Sequence, residues 1–372
     1  MRTTHSAPFV VLVLLAIGCS HSSGSNDANA ADVCPPVTPT GNSDAHYACT
    51  VPREMQKALL SDVLALHSAA LDLQKAAPTG HGWDATADAD ALVTMKAAWT
   101  SARTAYERTE GALAPLFPQL DAAIDARYDD FLSDLVPNGD QDLFDDHGVT
   151  GMHAIERILF VQETPARIVE VEASLPGYKA AAWPSSAGEA AEFKEKLCGA
   201  LVADTQRLAT EWAPQNIDLS GAYDGLVALM NEQREKIVKA ASDEEESRYS
   251  QRTMTDIRDN LEGTRKIYEL FKPYLKSKTN ANNQNLDGPK LDVAIEAGLA
   301  KLDELYAQVN GEAIPTPPAT WSSESPSAAD LESDFGRLYT GIQAAVAMDS
   351  ADSVVVNMNH AATVMGFDRF AE

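Results

Sequence analysis

Apolar residues recur along this chain at spacings of three and four, and no run alternates between hairpin turn signals. The pattern predicts an all-α protein. After Pro52, residues Met55, Leu59, Val63, Leu66 and Leu73 form one stripe of a helix that ends before "APTGHGWD". Leu92, Met95, Trp99, Ala102, Tyr106 and Leu113 mark a second helix, interrupted by Pro115 and Pro118. "LDAAIDARYDDFLSDLV" (120–136) predicts a third that leads into an acidic loop, "PNGDQDLFDDHG". A helix over "GMHAIERILF" follows, then long ones over 187–212, 221–241 and 249–275. Two final helices, near 289–310 and 327–348, flank the Pro/Ser-rich "AIPTPPATWSSESPSAAD". Antiparallel helices of this length on short loops predict bundles, here two four-helix-bundle subdomains packed together. Residues 50–275 would form the first and 276–372 the second.

The N-terminus departs from that pattern. Arg2 precedes an apolar run from Phe9 to Gly18, which suits a signal-peptide core and is too short for a permanent membrane span. "LLAIGCS" resembles a bacterial lipobox, so residues 1–18 are expected to be removed and Cys19 lipidated, although Ala16 stands where leucine is commoner. An ordinary cleaved secretory signal would export the chain equally well. Residues 19–49, opening with the small and polar "SHSSGSNDANAAD", read as a flexible tether. In an oxidising compartment Cys34 and Cys49 can close a short loop at the start of the folded body. Cys198 then remains unpaired in a helical pattern, as a small buried thiol.

Net charge is −26, which argues against binding a phosphate backbone and favours cations as partners. A solvated acidic surface alone would produce the same number. Sharper chemistry lies in "HGVTGMHAIERILF". His153 and Glu156 fall about 60° apart on a helical wheel, inside the apolar arc of Val149, Met152, Leu159 and Phe160. A carboxylate placed there must be protonated, paired or bound to a cation. The two side chains can also simply hydrogen-bond each other or a neighbouring helix. In the second helix Glu110 shares the face of Trp99 and Leu113, Glu107 flanks it, and Arg103 offers Glu107 an ordinary salt bridge. Asp125, after Ile124, can approach the same space. One imidazole with several carboxylates suits iron, zinc or manganese, and copper through the histidine, better than calcium.

"YERTE" (106–110), "LDAAIDARYDDF" (120–131), "GMHAIERILF" (151–160), "EESRYS" (245–250) and "TDIRDNLEGTRKIYE" (255–269) resemble the successive signatures of imelysin-like proteins. They are most similar to the EfeO/EfeM branch, periplasmic components of bacterial iron uptake. The resemblance covers roughly residues 50–372 and implies a helical bundle with a Gly-x-His-x-x-Glu metal motif. It carries over to Gly151, His153 and Glu156, with Glu107, Glu110 and Asp125 as acidic companions. Glu232, in "LVALMNEQREKI", stands where the family has a further glutamate, on a poor local match. Too few residues separate Cys19 from Thr50 for the branch's N-terminal cupredoxin domain, so the short form is expected. The acidic insertion before His153 is a second departure, and His147 within it reads as part of a solvated loop. The implied function is a lipid-anchored, periplasmic metal-binding protein that takes up iron, or a related ion, for a membrane iron permease. The alternative is an imelysin-type metallopeptidase. Against it, the chain has no His-Glu-x-x-His and no Gly-x-Ser-x-Gly.

Overall fold

A computed structural model describes residues 34–35, 44–128, 139–213, 216–280, 283 and 286–370. The expected signal segment, Cys19, most of the expected tether, residues 129–136 of the expected third helix and the first two residues of the acidic loop lie outside the described residues. Among the described residues every regular element is helical. In chain order they are α1 (Asp44–Ala76), α2 (Ala89–Glu107), α3 (Glu110–Leu116), α4 (Pro118–Ile124), α5 (Gly151–Leu159), α6 (Ala166–Ala173) and α7 (Ala187–Glu192). There follow α8 (Cys198–Trp212), α9 (Leu219–Ala240), α10 (Thr253–Ser277), α11 (Gly288–Tyr306), α12 (Ala328–Leu331), α13 (Asp334–Val346) and α14 (Val354–Met365). A π turn, Phe193–Leu197, joins α7 to α8. No helix among the described residues is long and apolar enough to cross a membrane.

The helices form two packed groups. In the first, α1 lies against α2 and α8, and the short α4 and α5 close the side of α8. In the second, α9, α10, α11, α13 and α14 pack on one another. Helix α10 belongs to both, because it also lies against α1, α2 and α3. The stripe expected in α1 is buried in full, from Met55 to Leu73. The helix nevertheless starts at Asp44 and carries Pro52 inside it. Tyr47 stacks on Tyr274 with centroids 4.7 Å apart, and the Cys34–Cys49 disulfide clips the first turns. That packing and the cross-link offset the hydrogen bond that Pro52 cannot donate.

The second expected helix does not run on to Leu113. It stops at Glu107 and restarts at Glu110. The reason is α10 crossing at the break, where a Cβ on Gly263 would stand only 2.4 Å from the Arg108 carbonyl oxygen. Asn260 Nδ2 donates to the Glu107 carbonyl at 3.1 Å, supplying a partner for a helix end that would otherwise be buried without one. Helix α4 likewise ends early, at Ile124, because α5 begins against its last carbonyls. Gly151 makes that approach feasible. Its φ is +84°, and a Cβ there would lie 2.7 Å from the Ala123 oxygen and 2.9 Å from that of Ile124.

Towards the C-terminus, α10 begins at Thr253 rather than at 249, leaving residues 249–252 in a turn. The segment expected as one helix over 327–348 splits between α12 and α13, where Ser333 Oγ accepts the Gly336 amide at 2.9 Å and starts a new helix. Helix α14 was not anticipated, although Ser353 caps it and Gly366, at φ +81°, ends it.

Gly151→Ala should lower stability by about 3 kcal/mol, since it adds both a backbone clash and strain. Gly311 also has positive φ, +91°, but nothing lies within 4 Å of a Cβ built there. Gly311→Ala should therefore cost only about 1 kcal/mol. Urea unfolding of the two variants measures the difference, and equal losses would contradict the packing assigned to Gly151.

Candidate metal centre

Seven segments meet where the two helix groups adjoin. Helix α2 brings Arg103 and Glu107, α3 brings Glu110, and the residue capping α4 is Asp125. Helix α5 brings His153 and Glu156, and α9 brings Lys236. Helix α10 brings Asp256 and Asn260, and the turn before it brings Glu246. All are buried except Asp125, whose side chain is 16% exposed. The indole of Trp99 donates to the Met152 carbonyl at 2.9 Å and ties α2 to α5 just before His153.

The two imidazole nitrogens of His153 have different surroundings. Nδ1 lies 2.8 Å from Glu156 Oε2, while the other oxygen of Glu156 accepts the Ser250 amide at 2.8 Å and the Ser250 hydroxyl at 2.7 Å. Glu156 is thus fully engaged in orienting the ring. Nε2 is buried without a well-formed hydrogen bond and faces Asp125 Oδ1 at 3.4 Å. Donor atoms of Asp125, His153 and Glu246 all lie within 4.8 Å of one another, as do those of Glu107, Glu246 and Asp256. Glu246 is common to both groups.

Two cationic side chains hold these acids. The Arg103 guanidinium pairs with Glu107 and with Asp125, reaches Glu246 at 3.1 Å, and lies 3.4 Å from Asp256. Lys236 Nζ lies 2.7 Å from Glu246, 3.5 Å from Glu107 and 3.6 Å from Glu110. Asn260 donates to the carboxylates of Glu107 and Glu110 and accepts from Lys236 at 2.9 Å. Ser247 Oγ donates to Asp256.

Charge is distributed unevenly over the cluster. Burial pushes Glu107 well above the usual carboxylate range despite Arg103 and Lys236, and raises Glu110 and, to about 6, Asp256. At Asp125 burial is outweighed chiefly by Arg103, and at Glu246 by Lys236 with Arg103, so both are held below that range. The two carboxylates held below that range are those grouped with His153. Burial and Arg103 both disfavour the imidazolium, but Asp125 and Glu156 together overcome them and hold His153 at about 9.

The expected residues therefore occupy distinct places. Asp125 and His153 stand in one ligand-competent group, Glu107 in the other, and Glu156 behind the imidazole. Glu110 borders the cluster through Asn260 and Lys236. Its other side lines a pocket of 190 Å³ shared with Glu232 and Asp224. Burial, then Glu110, raises Glu232 to about 8, and Glu232 belongs to neither group. His147 is exposed beside Asp146, and Cys198 is a buried free thiol whose pKa burial raises.

Glu246, Asp256, Lys236 and Asn260 had not been singled out in the sequence. Asp256 and Asn260 had a signal, because the inward stripe of α10 through Phe271, Ile267 and Thr264 extends back to them at helical spacing. Lys236 follows Leu226, Leu229 and Gln233 on the buried side of α9 in the same way. Glu246 lies in a turn, where no period marks the inward residues.

The sequence profile of the family described as Imelysin (Peptidase_M75) matches residues 60–325. The iron uptake system component EfeO of Escherichia coli K12 is 28% identical over 213 residues, which cover 57% of this chain and 44% of that protein. EfeO of Shigella flexneri matches to the same extent. The match thus spans less than half the length of these relatives. An imelysin-like protein from Psychrobacter arcticum 273-4 shares the fold, with a TM-score of 0.51 at 13% identity over 88% of this chain and 97% of that one. A profile match over most of the chain, together with this shared fold, establishes that the chain belongs to the imelysin family.

Proposed function

We propose that this protein captures iron, or a related divalent cation, through Asp125, His153 and Glu246 and passes it to a membrane permease of an iron-uptake system. One observation carries the reading. The buried Nε2 of His153 faces Asp125, Glu246 completes the same group, both carboxylates are held below the usual range, and Glu156 fixes the ring from behind. A histidine oriented through one nitrogen by a carboxylate and presenting the other is the arrangement that supports a metal ligand. One nitrogen and several carboxylate oxygens form a donor set that suits ferrous or ferric iron, with zinc, manganese and copper as compatible ions. The Glu107, Glu246 and Asp256 group offers oxygen donors next to it, and Glu110 with Glu232 lines a pocket beside the cluster. The iron-uptake names of the relatives support iron as the cargo.

Peptide hydrolysis, which the family designation suggests, has weaker support. Glu156, the candidate base, is taken up by His153 and Ser250 rather than facing a position for attacking water. Export to the periplasmic side of the cell envelope, with Cys19 as the lipid anchor, completes the proposal and rests on "LLAIGCS". On that basis Cys19→Ser should move the native protein from the membrane fraction to the soluble periplasm. Unchanged partitioning would remove the anchor.

Titration calorimetry with ferrous, zinc, manganese and copper ions tests the site. His153→Ala and Glu246→Gln should each weaken the preferred ion by about a hundredfold or more, since each removes a ligand, while Glu232→Gln should change little. Affinities that stay the same in both ligand variants for every ion would defeat the proposal.

Coordination also requires the neutral imidazole, and His153 holds its proton up to about pH 9. Binding should release that proton, so affinity should rise with pH by about tenfold per unit until about pH 9. Calorimetry in buffers of different ionisation enthalpy counts the protons released. No release near pH 7 in the wild type, or undiminished release in His153→Ala, would contradict the assignment.

A further inference from the structure

Arg103 is the group whose presence at such a centre most needs explaining. Its guanidinium is 1% exposed and contacts every carboxylate of both ligand-competent groups, namely Glu107, Asp125, Glu246 and Asp256. It rises from the last turns of α2 and lies 5.3 Å from the centroid of the Tyr106 ring. A cation entering between Asp125, His153 and Glu246 meets carboxylates that are already paired with this side chain. It must draw at least Asp125 and Glu246 away from the guanidinium, because like charges at metal-ligand range repel strongly in a buried site.

We infer that Arg103 is a resident counter-cation that competes with the captured ion, setting how tightly it is held and returning to the carboxylates as it leaves. The inference rests on the capture site proposed above and adds its regulation. The physical logic is an exchange of one positive charge for another. Without an ion, Arg103 supplies the counter-charge that holds the buried acids together, so the site stays assembled. With an ion present, the guanidinium gives up part of its pairing. On release it supplies the replacement charge at once, so dissociation does not leave bare buried carboxylates behind. A protein that must both capture and surrender its cargo needs that second property as much as the first. Lys236 holds only one carboxylate at close range, Glu246 at 2.7 Å, and makes longer contacts to Glu107 and Glu110. Among the described residues it makes no ion pair with Asp125 or Asp256, so the competition falls to Arg103.

The test compares the full chain with Arg103→Gln and Arg103→Lys, using zinc and manganese ions, with affinity from calorimetry and release rate from stopped-flow mixing with a chelator. Arg103→Gln should bind about tenfold more tightly or better and release more slowly, and the ion should raise its melting temperature by more than it raises that of the wild type. Arg103→Lys, which keeps the charge but spans fewer carboxylates, should fall between the two. A purely structural role predicts the opposite sign, namely weaker binding and faster release. If Arg103→Gln folds only when an ion is added, the exchange of charge is supported. If it does not fold even then, Arg103→Lys decides, and binding no tighter than wild type overturns the inference. Binding by the wild type with equal or weaker binding by a folded Arg103→Gln sinks the competition alone. No binding by either protein removes the capture site and the competition with it.

Discussion

Six carboxylates, those of Glu107, Glu110, Asp125, Glu156, Glu246 and Asp256, enclosed with two permanent cations and one histidine, are the constraint around which this molecule is arranged. Removing one partner from a buried ion pair costs about 3–5 kcal/mol, so such a cluster survives only if counter-charge and hydrogen bonds are supplied from fixed positions. Arg103, Lys236, Asn260, Ser247 and Ser250 provide them, and they come from different stretches of the chain. The local irregularities follow from that requirement. Helix α2 breaks after Glu107 where α10 crosses, and α5 starts on a glycine that lets it meet the end of α4. The turn before α10 is long enough to place Glu246 and Ser250 on opposite sides of His153.

Ionisation within the cluster is unequal. Burial alone would protonate every acid in it. Arg103 at Asp125, and Lys236 with Arg103 at Glu246, outweigh burial, whereas at Glu107 and Glu110 burial wins, so charge survives beside the imidazole and fades towards those two. The result is a localised anionic position rather than a diffuse acidic patch.

Much of this was legible in the sequence, for reasons tied to periodicity. The stripes of α1 and α2 lie inside as their spacing requires, and so do His153, Glu156, Glu107 and Glu110, because a helix fixes which residues share a face. What could not be read depends on contacts between segments. The break at Arg108 is set by α10, more than a hundred residues away, and the early end of α4 by α5. The pairing of Arg103 with Glu107 was visible as neighbours one turn apart, but its reach to Asp125, Glu246 and Asp256 was not. Nor did the wheel distinguish the two faces of His153, which separate a nitrogen that faces Asp125 from one that Glu156 occupies.

Helix α10 carries Asp256 and Asn260 at one end and, further along, the surface on which α11 and α14 pack. The family profile stops at residue 325, before α13 and α14, which brace α9 and α11 and, in the case of α14, α10 itself. These last helices contribute no acid to the cluster, yet they hold the two helices that deliver Lys236, Asp256 and Asn260. A fragment trimmed to the matched boundary would keep every donor atom while losing the splint that keeps them in register.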